Sequence, residues 1–179
     1  MPPGTLARAL VLVLAGSLAA LAGPVRAQPR TAASAAAAPV AAPALSGRTL
    51  DGQAFELARH RGKVVLVLFW STGCAVCRDK MPELRRNVAG WAGQPFELVL
   101  VATDRQPADV LAYDAIITRT VPLAQRFVQL WAGAPDFRSG FGAPATLPAG
   151  FLIDKAGQVV QRYQGRIPAE AWDHIADLL

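Results

Sequence analysis

The chain has 179 residues, 53% hydrophobic and 17% charged, with a net charge of +5, two cysteines and two histidines. This apolar content excludes a wholly disordered chain, and so few cysteines exclude a disulfide-dense scaffold. Acids and bases are interspersed, and the basic cluster Arg59, Arg61 and Lys63 lacks interleaved aromatics, so no nucleic-acid partner is expected.

Met1–Ala9 carries one arginine, Arg8, and no acid, and Leu10–Ala22 is apolar. Val25–Ala27 ends this stretch with small residues at the minus-three and minus-one positions of a cut. Residues 1–27 therefore read as a secretory signal peptide cleaved after Ala27, with export to the periplasm. The apolar run is shorter than the roughly 18 to 20 residues of a spanning helix, although an uncleaved membrane tether stays open. Loss of Arg8 and Arg26 with the leader would take the charge from +5 to +3. Residues 28–44 are mostly Ala, Pro and small polar residues, a composition expected of a flexible linker. A single domain is expected over residues 45–179.

Val64–Trp70 ("VVLVLFW") predicts a strand buried on both faces. Ser71–Gly73 follows as a turn, and Met81, Leu84, Val88 and Trp91 then recur at three- or four-residue spacing. That pattern predicts a helix from Cys74 to about Trp91, kinked at Pro82. Phe96–Ala102 reads as a second buried strand, and a helix is expected from Pro107. Phe127–Trp131 is a candidate strand, and the stretch from Ala134 to Gly142 a short helix or loop. "GFLID", a "KAG" turn and "QVVQRYQG" predict a hairpin, closed by a helix from Pro168 to Leu179. The fold class is α/β, a mixed central sheet flanked by helices.

Cys74 and Cys77, the only cysteines, are three residues apart at the start of the first helix. This spacing puts them on one helix face, where a disulfide can open and close with little backbone motion. As a staple the pair would close almost no loop and stabilise little. Unpaired N–H groups and the dipole at a helix start favour a thiolate, so Cys74 is expected to have the lower pKa. Cys77, one turn deeper, can then attack a mixed disulfide formed on Cys74. Metal binding remains a weaker alternative, because His60 and His174 are the only histidines and the spacing fits no usual zinc site. A peroxide-reducing cysteine is a further alternative, ranked below metal.

"FWSTGCAVCRDKMP" resembles the active-site segment of thioredoxin-fold proteins, and "LPAGFLIDKAGQVV" resembles their second signature. The pattern is similar to the exported TlpA/ResA-type thiol-disulfide oxidoreductases and covers most of residues 45–179. The resemblance implies Cys74 as nucleophile, Cys77 as resolving thiol and Pro148 as a cis-proline opposite them. It further implies Leu147 as a backbone partner for substrate, Trp70 beneath the substrate site, and Asp104 as the candidate acid for proton transfer. Departures are Gly73, where relatives commonly carry tryptophan, Ala75-Val76 between the cysteines, and Leu68 at the place of the buried aspartate of cytosolic thioredoxins.

The implied function is reduction of disulfides in protein clients, with electrons from a membrane-bound donor, in some relatives during cytochrome c maturation. No cofactor and a monomeric state are expected. Two other classes are kept in view: a chaperone holding Cu(I) through both thiolates with His60 or His174, and a structural module with a permanently oxidised pair.

Overall fold

A computed structural model describes residues 40–179 of the chain. In chain order the elements are β1 (Val40–Ala41), β2 (Leu45–Arg48), β3 (Ala54–Glu56), β4 (Val64–Trp70) and α1 (Ala75–Gly90). Then come β5 (Phe96–Ala102), α2 (Pro107–Thr120), β6 (Val128–Trp131), β7 (Arg138–Ser139), β8 (Ala149–Ile153), β9 (Gln158–Gln164) and α3 (Glu170–Leu178). The expected signal peptide and the linker as far as residue 39 lie outside the described residues. Pairing begins within the segment expected to be linker, because Val40 and Ala41 add to the edge of β9.

The main sheet has six strands in the order β1-β9-β8-β4-β5-β6. β4 lies in its middle with all seven residues buried, as its unbroken apolar run requires. It pairs parallel with β5 and antiparallel with β8, so the sheet is mixed. A second sheet, β3-β2-β7, has three strands. Arg138 and Ser139, in the stretch expected to be a short helix or loop, supply β7 by pairing with Ser46 and Leu45. A two-residue strand carries no periodicity of its own; it exists because β2 offers it an edge.

Alternation along β4 divides the core. Val64, Leu66, Leu68 and Trp70 face one cluster that includes Met81 and Leu84 of α1, Val110 of α2 and Ile175 of α3. Val65, Val67 and Phe69 face the other, with Leu45 of β2, Phe55 of β3 and Leu57. The three helices thus share one face and the small sheet covers the other. β4, β5 and β6 follow one another across the sheet in parallel, and crossovers of one hand, the rule for such connections, put α1 and α2 on the same side, where both pack into one cluster. α1 continues through Pro82 to Gly90. α3 begins at Glu170, two residues beyond the expected Pro168, and the hairpin turn uses Gly157 at φ +77°.

Candidate active site

The parallel strands β4, β5 and β6 end at one edge of the sheet, where ligand sites of α/β folds gather. The loop Ser71–Gly73 leaves β4 at this edge and delivers Cys74 to the N-cap of α1. Cys74 and Cys77 form a disulfide with Cα atoms 5.2 Å apart. The Cys77 N–H donates to the Cys74 sulfur at 3.1 Å, so the helix start already directs a backbone donor at that atom. Cys74 is half-buried, whereas Cys77 is 1% exposed. The outer sulfur belongs to the residue that an incoming group meets first.

Phe69 faces Ala149 across the antiparallel pair, and one residue further along this register Trp70 comes level with Pro148. The Leu147–Pro148 peptide is cis, and Pro148 is buried. Leu147 is half-buried and packs against both core clusters. Trp70 is 0% exposed and edges onto Tyr113 at 5.0 Å between ring centres. Trp70 therefore lies in the core just before the cysteine loop and has no exposed surface.

Asp104 lies two residues past the end of β5 and reaches across to the cysteine loop. Its Oδ1 accepts from the Thr72 N–H at 2.9 Å and from the Thr72 hydroxyl at 2.5 Å, while its Oδ2 is buried without a protein partner. The Asp104 carbonyl accepts from the Trp131 indole N–H at 2.8 Å. Arg78, one turn along α1, donates to the Thr72 carbonyl at 3.0 Å. The loop before Cys74 is thus held from β5 and from α1 together. Thr72 and Trp131 were not singled out by sequence reasoning; a Thr two residues before the first cysteine was the available signal, read only as a turn former.

Gly73 has open space around it: a Cβ there would meet nothing within 4 Å. The lip before Cys74 is therefore low, and Val76, 37% exposed, stands beside the pair as an apolar neighbour. Leu68, 1% exposed, fills the position of the buried acid with hydrocarbon. Nearby, burial pushes the Tyr163 hydroxyl above its ordinary pKa.

His60 and His174 are not brought to the cysteines as a ligand set. His60 lies against Phe55 and the Glu56 carbonyl, before the start of β4, while the disulfide follows its end. A seven-residue strand spans roughly 20 Å, which separates the two. Among the described residues no group of three or more His, Cys, Asp or Glu side chains is placed to hold a metal.

The AhpC/TSA family matches residues 39–164. The chain belongs to this family. A relative named thiol-disulfide oxidoreductase ResA, from Bacillus thuringiensis subsp. konkukian (strain 97-27), is 26% identical over 122 residues, covering 65% of this chain and 63% of that protein. The chain thus spans less than two thirds of the length of that relative. The thioredoxin-like protein YneN of Bacillus subtilis (strain 168) is 24% identical over 147 residues, with 76% of this chain and 77% of YneN covered. Among solved structures, a thiol:disulfide interchange protein of the thioredoxin family from Chlorobium tepidum TLS superposes with a TM-score of 0.62 at 27% identity. That likeness covers 78% of this chain and 94% of the other. The fold is thioredoxin-like, as the resemblance implied.

Proposed function

We propose that this protein is a thiol-disulfide oxidoreductase that reduces disulfides in protein clients outside the cytoplasm. The observation that carries the reading is the redox pair itself: a disulfide at a helix N-cap, with one half-buried and one buried cysteine. Relatives named for thiol-disulfide exchange support it.

In the reduced protein the Cys74 thiolate attacks one sulfur of a client disulfide, forming a Cys74–client disulfide and releasing the other client sulfur as a thiolate that takes up a proton. Cys77 loses its proton and attacks the Cys74 sulfur, closing the Cys74–Cys77 bond and releasing the second client thiolate. Two electrons pass from the protein dithiol to the client disulfide. The helix start stabilises the Cys74 thiolate, and burial keeps Cys77 from outside reagents until the mixed disulfide forms.

Thr146 and Leu147 enter no backbone hydrogen bonds within the described residues, so both peptides are free to pair with an extended client segment beside cis-Pro148. Asp104 fixes the cysteine loop through Thr72, and its unpartnered Oδ2 is the acceptor available for a proton during exchange. Export, a membrane-bound electron donor that returns the disulfide to the dithiol, a monomeric state, and apocytochromes c among the clients complete the proposal on the strength of the sequence resemblance.

The test is turnover of a peptide disulfide by the reduced protein. Cys74→Ser is expected to abolish it, and Cys77→Ser to accumulate a mixed disulfide visible by intact mass. Full activity in Cys74→Ser would defeat the assignment.

A further inference from the structure

At the edge of the sheet where the cysteine loop leaves β4 lies a cleft of about 720 Å³. It is lined by residues that follow β5 (Asp104, Arg105) and β6 (Phe137, Arg138), by Phe69, and by Leu147 next to cis-Pro148. Two of these residues tie it to the site: Asp104 holds the loop two residues before Cys74, and Leu147 carries the free peptide described above. A client segment paired with Leu147 would therefore run along this cleft with its cysteine at Cys74.

The charges of the cleft are unequal. Arg105 and Arg138 are both exposed, and all five ion pairs among the described residues use other cations. Arg138 is oriented by its donations to the Pro135 and Phe137 carbonyls, both at 2.8 Å, which spend main-chain acceptors and no carboxylate. The one acid in the lining, Asp104, has Oδ1 committed to Thr72 and Oδ2 buried, so neither oxygen faces outward to neutralise the guanidinium groups. Arg78 adds a third positive charge beside the loop, and the acid next to it, Asp79, lies 3.9 Å from Arg166. Phe69, Phe137 and Leu147 provide apolar floor between the charges.

We infer that the Arg105–Arg138 cleft selects clients whose target cysteine lies in a segment carrying Asp or Glu side chains. Guanidinium forks match carboxylates in shape and charge, and a low-dielectric floor strengthens that attraction. The inference rests on the proposed thiol-disulfide exchange and adds no chemical step to it; the carboxylates set which disulfide is brought to Cys74.

The test uses the reduced protein and two peptides, each with one cysteine capped by mercaptoethanol as a disulfide, flanked by Asp and Glu in one and by Lys in the other. Each rate is divided by that of dithiothreitol with the same peptide, which removes intrinsic differences in reactivity. At low ionic strength the acidic peptide is expected to react roughly tenfold faster than the basic one, with the ratio falling toward one at about 0.5 M salt. Arg105→Gln is expected to cut the ratio about threefold, and Arg105→Lys to retain most of it. A ratio near one at low salt, or a ratio unchanged in Arg105→Gln, overturns the inference. Hydroxyethyl disulfide, which carries no charge, separates the two failures: if it is reduced while the ratio is one, exchange stands and client selection falls. If it is not reduced, both fall.

Discussion

The ion pair behind the cysteines offers a stability measurement with a definite sign. Lys80, one turn beyond Cys77 on α1, is 7% exposed, and its Nζ lies 2.7 Å from Glu83 Oε1. The same carboxylate oxygen accepts from the Trp172 indole N–H at 2.5 Å, tying α1 to α3. Glu83→Ala would leave an ammonium group in the core and an indole N–H without its acceptor. Stripping one partner from a buried pair costs about 3–5 kcal/mol. The Glu83 side chain is 32% exposed, so water can reach the site and roughly halves that figure, while the indole hydrogen bond adds about 1 kcal/mol. The sum is about 3 kcal/mol, or roughly 10 °C in Tm for a domain of this size. Thermal unfolding of the oxidised protein followed by circular dichroism measures it. Lys80→Met added to Glu83→Ala removes the stranded charge and should recover part of the loss. A drop of less than about 2 °C in Glu83→Ala, or a double variant less stable than that single one, would refute the reasoning.

The same carboxylate sets a pH dependence. Burial alone would raise its pKa, but hydrogen bonds from Lys80 and Trp172, with the charges of Lys80 and Arg86, outweigh burial and hold it below its ordinary 4.5. Its contribution is therefore complete above pH 4.5 and is lost as the pH falls through the lower folded value, a loss absent in Glu83→Gln. Asp114 should behave in the opposite sense: burial, aided by the Asp51 charge, outweighs Arg126 and Thr118 and raises its pKa above 3.8. Ionising it costs more in the folded than in the unfolded chain, so Asp114→Asn should raise Tm at pH 7, and the gain should vanish near pH 3. Gly133→Ala would drive a Cβ into the Trp131 ring, displacing the ring whose N–H holds the Asp104 carbonyl. It should cost about 1–3 kcal/mol and slow disulfide exchange, whereas a variant of unchanged stability and rate would show that the ring is not needed. Thr72→Val removes the hydroxyl bond to Asp104 but keeps the N–H bond, and is expected to cost about 1–2 kcal/mol in chemical denaturation.

What the chain reveals before folding depends on how local each cause is. Val64–Trp70 and Phe96–Ala102 are legible because a strand covered on both faces needs an unbroken apolar run. The hairpin of β8 and β9 is legible because Gly157 supplies the left-handed turn. β2, β3 and β7 have two to four residues each and owe their pairing to one another, so no window of sequence contains their cause. The linker boundary blurred for the same reason: Val40 and Ala41 look like spacer until β9 presents an edge.

The candidate site divides along this line as well. A C-x-x-C pair after an apolar strand can be read from adjacent residues, because the strand, the turn and the helix cap follow one another in the chain. Trp70 shows where that reading ends. It adjoins the cysteine loop in sequence, yet strand alternation turns it into the helix-side core, while its neighbour Phe69 turns the other way and lines the cleft. Asp104 meets Thr72 across 32 positions of chain, and Arg105 and Arg138 line one cleft because Arg105 follows β5 while β7 holds Arg138 against β2. On the proposed function, the nucleophile and the resolving thiol come from one short local segment, and the choice of client from loops that the sheet edge assembles. On the proposed function, substitutions confined to Arg105 and Arg138 should change which disulfide is reduced without altering how it is reduced.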